Sequence, residues 1–344
     1  MSFFDKWTGP AFVGCLTIVG ASTIVAAGWQ FEQPIGGGYL QRSLEKQFDG
    51  ALTITDLSIE TWAAAFWFAF GETSKGAIVG KDNWLFTDEE YQDDKGFQVR
   101  LESSLQEVID TTDSLESNGF KVIIALLPDK ARVLNDRLNI PRSPAVEQRY
   151  DYALDTLNGA GLDVADLRLI FSNAQEAAFF KTDTHWTPYG AKIVAEAIGQ
   201  QARPFTTETT EFETIMTGAV LHQGDLMTFL PLPGSANSEL WAEPLVTFET
   251  TQITDNDLIT DALFGSAEPL GALIGTSFSA NENWHFNDWL RQFIGLDIVN
   301  YADEGTGPFE PMRKFLNSEQ AMNNTTSGLI IWEIPERYLS ILSD

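Results

Sequence analysis

The sequence has little material for disulfide or metal chemistry. Its 344 residues include one cysteine, Cys15, and three histidines, His185, His222 and His285. A single cysteine excludes an intramolecular disulfide framework. So few histidine and cysteine side chains leave little for a multi-histidine or cysteine-rich metal site. We therefore expect an activity that needs neither a metal nor another cofactor.

Basic residues are also scarce. Lysine and arginine total 21 against 49 aspartates and glutamates, which gives a net charge of −28. Nucleic-acid binding needs a basic face that neutralises phosphates, so this charge argues against a nucleic-acid partner. It equally argues against docking on anionic lipid. Hydrophobic residues make up 44% and charged residues 20% of the sequence, which indicates a globular protein.

The longest uncharged stretch lies near the N-terminus, between Lys6 and Glu32. Its apolar part, 10–29, is just long enough to cross a hydrocarbon core of ~30 Å as a helix. Trp7 and Trp29 flank it, as interfacial aromatic residues do. The stretch therefore has the features of a membrane-spanning segment.

Three interpretations of residues 1–30 compete. An uncleaved signal-anchor is favoured, because the apolar run is long for the core of a signal peptide. A signal peptide cleaved after residues 25–27 is the main alternative, and a buried core helix is the third. Both favoured interpretations export residues 31–344.

The exported part divides into a leading segment and a large domain. In 31–75, Pro34 and the glycines at 36–38 predict a flexible stalk, and Thr61–Phe70 reads as an apolar helix. From residue 76 to residue 344, apolar runs alternate with helical patterns, which is typical of an α/β domain of three layers around a parallel sheet. A hairpin is predicted over Ala77–Phe86, with Asp82 and Asn83 at its turn.

The predicted elements of this domain follow one another in regular alternation. The strands are Lys121–Pro128, Asp163–Leu167, Gly271–Ser277, Leu296–Ala302 and Ser327–Ile334, and the helices are 98–117, 145–158, Pro188–Gln200, 283–294 and 308–317. Residues 201–270 interrupt the alternation. They hold 11 acidic residues and one base, Arg203, and we predict an insertion of irregular loops and short strands there.

Three short blocks of residues adjoin predicted strands or helices at one edge of the sheet. Ligands of parallel sheets bind at this edge. Asp183 stands two residues before His185, so its carboxylate can hold Nδ1–H and leave Nε2 as a general base. Ser277 ends a buried strand, where a helix N-terminus favours an oxyanion. Gly305 follows another strand and lets a backbone N–H approach a ligand. Taken singly, each has an ordinary alternative: a common Asp-x-His pair, a helix cap, or a turn.

Together these blocks resemble the SGNH hydrolase/GDSL esterase superfamily in a circularly rearranged order. The resemblance implies that the serine block supplies the nucleophile and its own N–H, and that the glycine block supplies a second N–H. Two residues depart from the pattern. Thr276 stands where many members have aspartate, and Glu333 stands where the third block has asparagine.

Longer sequence motifs resemble one branch of this superfamily, the alginate O-acetyltransferase family of the AlgJ/AlgX type. They are GKDNWLF, PDKAR, DTHWTPYGAK, GDL, IGTSFSANENWHFNDWL, EGTGP and WEIPER, and they span about 76–337. The resemblance implies a periplasmic enzyme that acetylates alginate or a similar exopolysaccharide. It also implies an acetyl donor supplied by a membrane-bound O-acyltransferase, and other exopolysaccharide-biosynthesis subunits as partners. The AlgX type has an added C-terminal carbohydrate-binding module, so a sequence that stops at Asp344 is expected to be closer to the AlgJ type.

The roles that follow from this resemblance are those of a serine acetyl-enzyme. Ser277 would attack the donor, His185 would move the proton, and Asp183 would orient the imidazole. The oxyanion would be held by the N–H groups of Ser277 and Gly305, with Asn281 as a further candidate.

Acceptor binding is assigned to side chains near these blocks. Lys130 and Arg132 follow a strand and are predicted to contact uronate carboxylates, with a solvated helix face as the alternative. Trp186 is predicted to be a sugar platform.

The remaining polar residues of the motifs are expected to support structure. His222 and Asp225 favour structural support over catalysis, His285 favours packing over sugar stacking, and Glu333 and Arg337 are expected to form an ion pair.

Two further function classes fit the same residues. One is an extracytoplasmic carbohydrate acetylesterase with the same triad, since esterase and transferase differ only in the acceptor. The other is a non-catalytic polysaccharide-binding subunit, because fold alone does not prove activity.

Overall fold

A computed structural model of the chain describes residues 75–206, 210–230, 242–252, 271–318 and 328–341. The strands are β1 Ala77–Val79, β2 Leu85–Thr87, β3 Lys121–Leu127, β4 Val164–Asp166, β5 Phe212–His222, β6 Glu243–Gln252, β7 Gly271–Ile274, β8 Ile298–Asn300 and β9 Leu329–Pro335. The helices are α1 Phe97–Ser117, α2 Lys130–Val133, α3 Pro144–Gly159, α4 Arg168–Ser172, α5 Pro188–Ala202, α6 Ser277–Ala280, α7 Phe286–Ile294 and α8 Phe309–Leu316. Short 3-10 turns include Asp225–Phe229 and Glu336–Leu339.

Five of these strands form one parallel sheet in the order β4-β3-β9-β7-β8. The central strands are continuous apolar runs because helices cover both faces. Alternate residues of a strand point to opposite faces, and the two cores divide β3 accordingly. One core takes Ile123, Ala125 and Leu127 with α5 and α7, and the other takes Val122, Ile124 and Leu126 with α1, α3 and α8. The predicted parallel α/β sheet is confirmed.

The carboxyl ends of these strands lie along one edge of the sheet. Lys130 follows β3, Ser277 follows β7, Gly305 follows β8, and Glu336 follows β9. The predicted serine and glycine blocks therefore reach the same edge. The predicted hairpin is also present as the antiparallel pair β1–β2, and Asp82 and Asn83 both have positive φ at its turn.

The acidic insertion differs from the prediction. Instead of short strands, β5 and β6 form a long antiparallel ribbon of 11 and 10 residues. Each segment contains at least two threonines together with a valine and a phenylalanine, and such residues favour the extended backbone. A register shift between Met216 and Gly218 interrupts the pairing. The ribbon ends with His222 opposite Glu243, and both of these residues reach the functional site.

The N-terminal predictions lie outside the described residues. They include the apolar segment 10–29, the stalk and the helix Thr61–Phe70. Among the helices that the structure describes, none is long and apolar enough to cross a membrane. Apart from Leu230, the described residues belong to one compact unit.

A buried ionic cluster joins the ends of β3 and β9. Arg149, which is fully buried, donates to Asp129 and, at 3.3 Å, to Glu336. Arg132 donates to both oxygens of Glu336 at 2.6 and 3.0 Å. Burial alone would raise the pKa of Glu336. The guanidinium groups of Arg149 and Arg132 outweigh the effect of burial and hold this pKa at about 2. The carboxylate is therefore ionised inside the protein because cations surround it.

Removing one cation from this cluster should destabilise the fold strongly. For Arg149→Met we expect a loss of about 3–5 kcal/mol in the free energy of unfolding, because a buried carboxylate keeps its desolvation cost without its partner. Urea unfolding of the full chain, followed by tryptophan fluorescence, measures this loss as a lower midpoint.

Arg137→Met is the matched control. Arg137 pairs with Asp82, and both side chains are largely exposed, so the loss there should stay below about 1 kcal/mol. Equal midpoints for the two variants would contradict a stabilising role for the buried cluster.

Candidate active site

The loop before α5 carries the predicted acid-base pair. Thr187 caps α5 by accepting a hydrogen bond from the Gly190 N–H at 3.1 Å, and Pro188 occupies the first turn. Just before this cap, the His185 N–H donates to Asp183 Oδ1 at 2.8 Å, so the backbone itself folds back on the aspartate. The His185 ring then lies beside the same oxygen, with Nδ1 at 2.6 Å.

The imidazole connects Asp183 to Ser277. His185 Nε2 lies 2.8 Å from Ser277 Oγ, although the two residues are 92 positions apart in sequence. A carboxylate can only accept, so Nδ1 carries the proton of a neutral ring and donates it to Asp183. Nε2 is then the acceptor for the Ser277 hydroxyl. The three predicted residues form one continuous hydrogen-bonded chain.

The second oxygen of Asp183 is held by the acidic insertion. His222 Nε2 lies 2.8 Å from Asp183 Oδ2, and the Asp225 N–H donates to the same atom at 3.1 Å. Burial raises the pKa of Asp183, but the hydrogen bonds from His185 and His222 outweigh it and hold the pKa well below its usual range. Asp183 is therefore an ionised, almost fully buried carboxylate with a donor on each oxygen.

Glycine lets the insertion come this close. A Cβ on Gly224 would lie 2.1 Å from the backbone oxygen of Thr182, so no other residue fits there without moving the loop. Asp225 completes the contact by accepting a hydrogen bond from the Thr184 N–H at 2.8 Å. Residues 222–225 therefore hold the Asp183 loop in place. The sequence predicted only that His222 and Asp225 support the structure.

The same carboxylates form a possible donor set for a cation. Single ligand atoms of Asp183, His185 and Asp225 lie within 4.8 Å of one another. However, the nearest ring atom to these carboxylates is His185 Nδ1, which carries a proton directed at Asp183. A protonated nitrogen cannot be a ligand, so this arrangement fits hydrogen bonding better than metal binding.

The Glu333 side chain fixes the segment that carries Ser277. This side chain is fully buried and accepts from the Thr276 N–H at 2.8 Å and from the hydroxyls of Thr276 and Ser279 at 3.0 Å. Burial raises its pKa, and the hydrogen bonds from Thr276 oppose that rise. The predicted ion pair of Glu333 with Arg337 is wrong, because Arg337 Nε donates to Glu89 at 2.9 Å instead.

The candidate oxyanion donors line a cavity of about 490 Å³. Ser277, Gly305 and Asn281 all border it. Gly305 has φ +74°, and a Cβ built on it would meet open space. Asn281 Oδ1 accepts from the Asn283 N–H at 3.0 Å, which leaves its amide nitrogen for other contacts. Helix α6 has only four residues, so stabilisation of an oxyanion here rests on individual N–H groups and not on a long helix dipole.

Lys130 is not at the surface, contrary to its predicted contact with the acceptor. Its side chain is buried, and Nζ donates to the carbonyl oxygens of Leu85 at 2.6 Å, Asp183 at 2.8 Å and Lys181 at 3.3 Å. Burial lowers the pKa of Lys130 to about 8, against the attraction of Glu90 and Asp183. A lysine whose three protons are used by the backbone has none left for a uronate.

The other two predicted acceptor contacts also lie elsewhere. Arg132 is committed to Glu336, as described above, and to the carbonyl of Val146 at 3.0 Å. Trp186 is fully buried and packs against the rings of Phe278 and Phe286. An indole inside the core cannot stack on a sugar. His285, in contrast, packs edge-on against Phe248 as expected.

Trp284, and not Trp186, adjoins the His185 imidazole, although its ring is almost fully buried as well. Its ring lies nearly parallel to the His185 imidazole, with centroids 5.5 Å apart, and edge-on to His222 at 5.3 Å. It also borders the cavity. The sequence contained this residue in the phrase ANENWHF, but nothing in the spacing indicated which of the tryptophans would reach the site.

Comparisons with known proteins agree with this geometry. The domain family described as "SGNH hydrolase-like domain, acetyltransferase AlgX" matches residues 77–336. The probable alginate O-acetylase AlgJ of Pseudomonas syringae pv. tomato is 33% identical, over 97% of this chain and 88% of that protein. The corresponding protein of Azotobacter vinelandii is 35% identical, over 90% and 82%.

Solved structures give the same result. The O-acetyltransferase domain of Pseudomonas putida AlgJ matches with a TM-score of 0.69 at 29% identity, over 79% of this chain and 94% of that one. Pseudomonas aeruginosa AlgX shares the fold, with a TM-score of 0.58 at 24% identity, over 75% and 61%. The predicted resemblance is confirmed: this chain belongs to the SGNH hydrolase-like acetyltransferase family typified by AlgJ and AlgX.

Proposed function

We propose that this chain transfers acetyl groups to hydroxyls of alginate or a similar exopolysaccharide, through an acetyl-enzyme on Ser277. The observation that carries the proposal is the hydrogen-bonded chain from Ser277 through His185 to Asp183, which opens on a cavity. Membership of an acetyltransferase family supports the reaction type, and the relatives named alginate O-acetylase support the acceptor.

In the first half-reaction, Ser277 Oγ attacks the acetyl carbonyl of the donor. His185 Nε2 takes the hydroxyl proton, and Asp183 stabilises the imidazolium that forms. The N–H groups of Ser277 and Gly305, with the Asn281 amide as a third donor, hold the oxygen that becomes negative. When the bond to the leaving group breaks, His185 returns the proton to that group, and the acetyl ester remains on Ser277.

In the second half-reaction, a sugar hydroxyl replaces the leaving group. His185 takes the proton of this hydroxyl, whose oxygen attacks the acetyl ester of Ser277. Collapse of the intermediate breaks the bond to Ser277 Oγ, which receives the proton from His185. The products are the acetylated sugar and free enzyme. Atoms and charge balance without any cofactor.

Water in place of the sugar would make the same residues an esterase. The acetyltransferase family to which the chain belongs supports the sugar as acceptor.

The proposal extends to the place of the reaction. Residues 1–30 would be a signal-anchor, with 10–29 crossing the inner membrane, and 31–75 a stalk that carries the acetyltransferase domain 76–344 in the periplasm. The acetyl donor would be supplied there by a membrane-bound O-acyltransferase. The AlgJ and AlgX names of the relatives associate them with alginate biosynthesis, which supports other biosynthesis subunits as partners.

His222 would act through Asp183 as a positioning residue. Its hydrogen bond occupies the aspartate oxygen that does not face His185. Without it, Asp183 would lose a fixed orientation, and its charge would be less shared between two rings.

Replacement of Ser277 should abolish transfer. We expect Ser277→Ala to lose acetylation of oligosaccharides from deacetylated alginate by at least about 10³-fold, because no acetyl-enzyme can form. The full-length chain is incubated with a chromogenic acetyl ester and the oligosaccharides, and mass spectrometry counts acetyl groups on the sugar.

Ser279→Ala is the matched control. Its hydroxyl faces Glu333 and not His185, so transfer should persist. Ester hydrolysis that depends on Ser277 without any acetylated sugar would replace the proposal with an esterase. Transfer that survives in Ser277→Ala would refute the acetyl-enzyme.

Replacement of His222 should slow the reaction by loosening Asp183. For His222→Phe we expect kcat/KM for the acetyl ester to fall about tenfold, a loss of roughly 1.4 kcal/mol, because one oxygen of Asp183 loses its hydrogen-bond donor.

His222→Gln should recover most of this loss, since the amide can still donate to Asp183. His285→Asn is the control outside the cavity, at a position whose positive φ asparagine tolerates. A His222→Gln variant that is as slow as His222→Phe would show that the hydrogen bond to Asp183 is not what matters, and that result would remove His222 from the mechanism.

A further inference from the structure

A second cleft opens beside the active-site cavity. It has a volume of about 340 Å³ and lies between the first half of α1, the loop 305–308 that enters α8, and the turn that contains Tyr338. Gly305 lines both the cleft and the active-site cavity. The two spaces therefore lie on either side of the proposed oxyanion donor, and a chain-like acceptor that passes over Gly305 would contact both.

The lining of the cleft is rich in free hydroxyl groups. Ser103, Ser104, Thr306 and Tyr338 border it, and none of their hydroxyls hydrogen-bonds another residue in the part of the chain that the structure describes. Each hydroxyl can donate and accept. The Tyr338 ring lies against Gly307, where a Cβ would stand 3.3 Å away, and adds an apolar surface. Hydroxyls around an aromatic ring match the alternating polar and apolar surface of a sugar.

The charged residues that line the cleft are Glu89, Glu107, Glu310, Arg100 and Arg313, and Arg313 is the more exposed of the two cations. Its side chain is about half exposed and pairs with Glu107 at 2.7 Å and with Glu310 at 3.7 Å. Exposed pairs of this kind contribute little to stability, so a carboxylate from a ligand can replace Glu107 at small cost. In contrast, Arg100 is held by Asp94 and by the Ser340 carbonyl at 2.6 Å.

The active-site cavity itself offers no cation to an acidic ligand. Among the described residues that line it, the charged groups are the carboxylates of Asp183, Asp225 and Glu304. An acidic polysaccharide therefore needs its cation in a neighbouring space. Arg313 lines the neighbouring cleft together with Gly305, and its guanidinium matches the geometry of a carboxylate.

From this juxtaposition we infer that the cleft is an acceptor subsite for an acidic glycan, in which Arg313 binds the carboxylate of a sugar residue next to the one acetylated at Ser277. The inference rests on the proposed function for the identity of the acceptor. It gives to Arg313 the role that the sequence assigned to Lys130 and Arg132. It further predicts that short acceptors, which cannot span both spaces, gain nothing from the cleft.

The test measures binding apart from transfer. A uronate hexamer from deacetylated alginate is titrated calorimetrically into the full-length chain without acetyl donor. We expect Arg313→Gln to weaken hexamer binding about tenfold, the effect of losing one charge-assisted contact, and Glu107→Gln to strengthen it. Lys314→Gln is the matched control, because Lys314 is equally exposed on α8 but does not line the cleft.

Acetyl-ester hydrolysis is measured in parallel. Arg313→Gln should leave it within twofold of the unmodified chain, and should leave binding of a uronate dimer unchanged. Hexamer binding that is the same in Arg313→Gln and Lys314→Gln overturns the inference, as does equally tight binding of a neutral cello-oligosaccharide, or no hexamer binding at all. Arg313-dependent binding without sugar acetylation supports the subsite and counts against the proposed function alone.

Discussion

The buried ammonium of Lys130 is the interaction on which the geometry of the site depends. It joins the carbonyl oxygens of the β1–β2 hairpin, at Leu85, to those of the Asp183 loop. On the other side, Glu90 accepts from the N–H groups of Lys130 and Ala131 at 3.2 and 2.7 Å. One cation thus replaces the water that these groups would otherwise bind, and an unpaired carbonyl here would cost about 1–3 kcal/mol. The Lys130 side chain therefore fixes the loop that carries Asp183 and His185 from the protein interior.

The site consists of two halves, each of which is supported by a buried carboxylate. Asp183 supports the imidazole and is kept ionised by two rings and a backbone N–H. Glu333 supports the nucleophile loop by accepting hydrogen bonds from Thr276 and Ser279. The two halves meet at the 2.8 Å contact of His185 with Ser277.

Much of this arrangement was predictable from the sequence because it depends on local patterns. Apolar runs of strand length gave the sheet, and parallel strands bring their carboxyl ends together, so Ser277 and Gly305 had to share an edge. The capped helix that follows Thr187 located Asp183 and His185 at that edge.

The roles of long side chains were not predictable in this way. Lys130, Arg132 and Trp186 all follow or adjoin site motifs, yet they turn inward to satisfy carbonyls, carboxylates and aromatic neighbours. Sequence spacing indicates where a Cα lies and not where the end of a lysine or tryptophan goes. The β5–β6 ribbon was not predicted for a related reason. Its two strands pair with each other, and residues 201–270 show no clear hydrophobic periodicity that would indicate this pairing.

The position of β9 has a consequence for how the protein assembles. This strand lies in the middle of the sheet, between β3 and β7, and Lys121 pairs with Leu329 across more than two hundred residues. While the chain is being made, both neighbours of β9 have an unsatisfied edge, and neither core can close. Contacts so distant in sequence form slowly, and exposed edges invite association with other chains. The sheet and the site at its edge therefore form together, once β9 has paired with both of its neighbours.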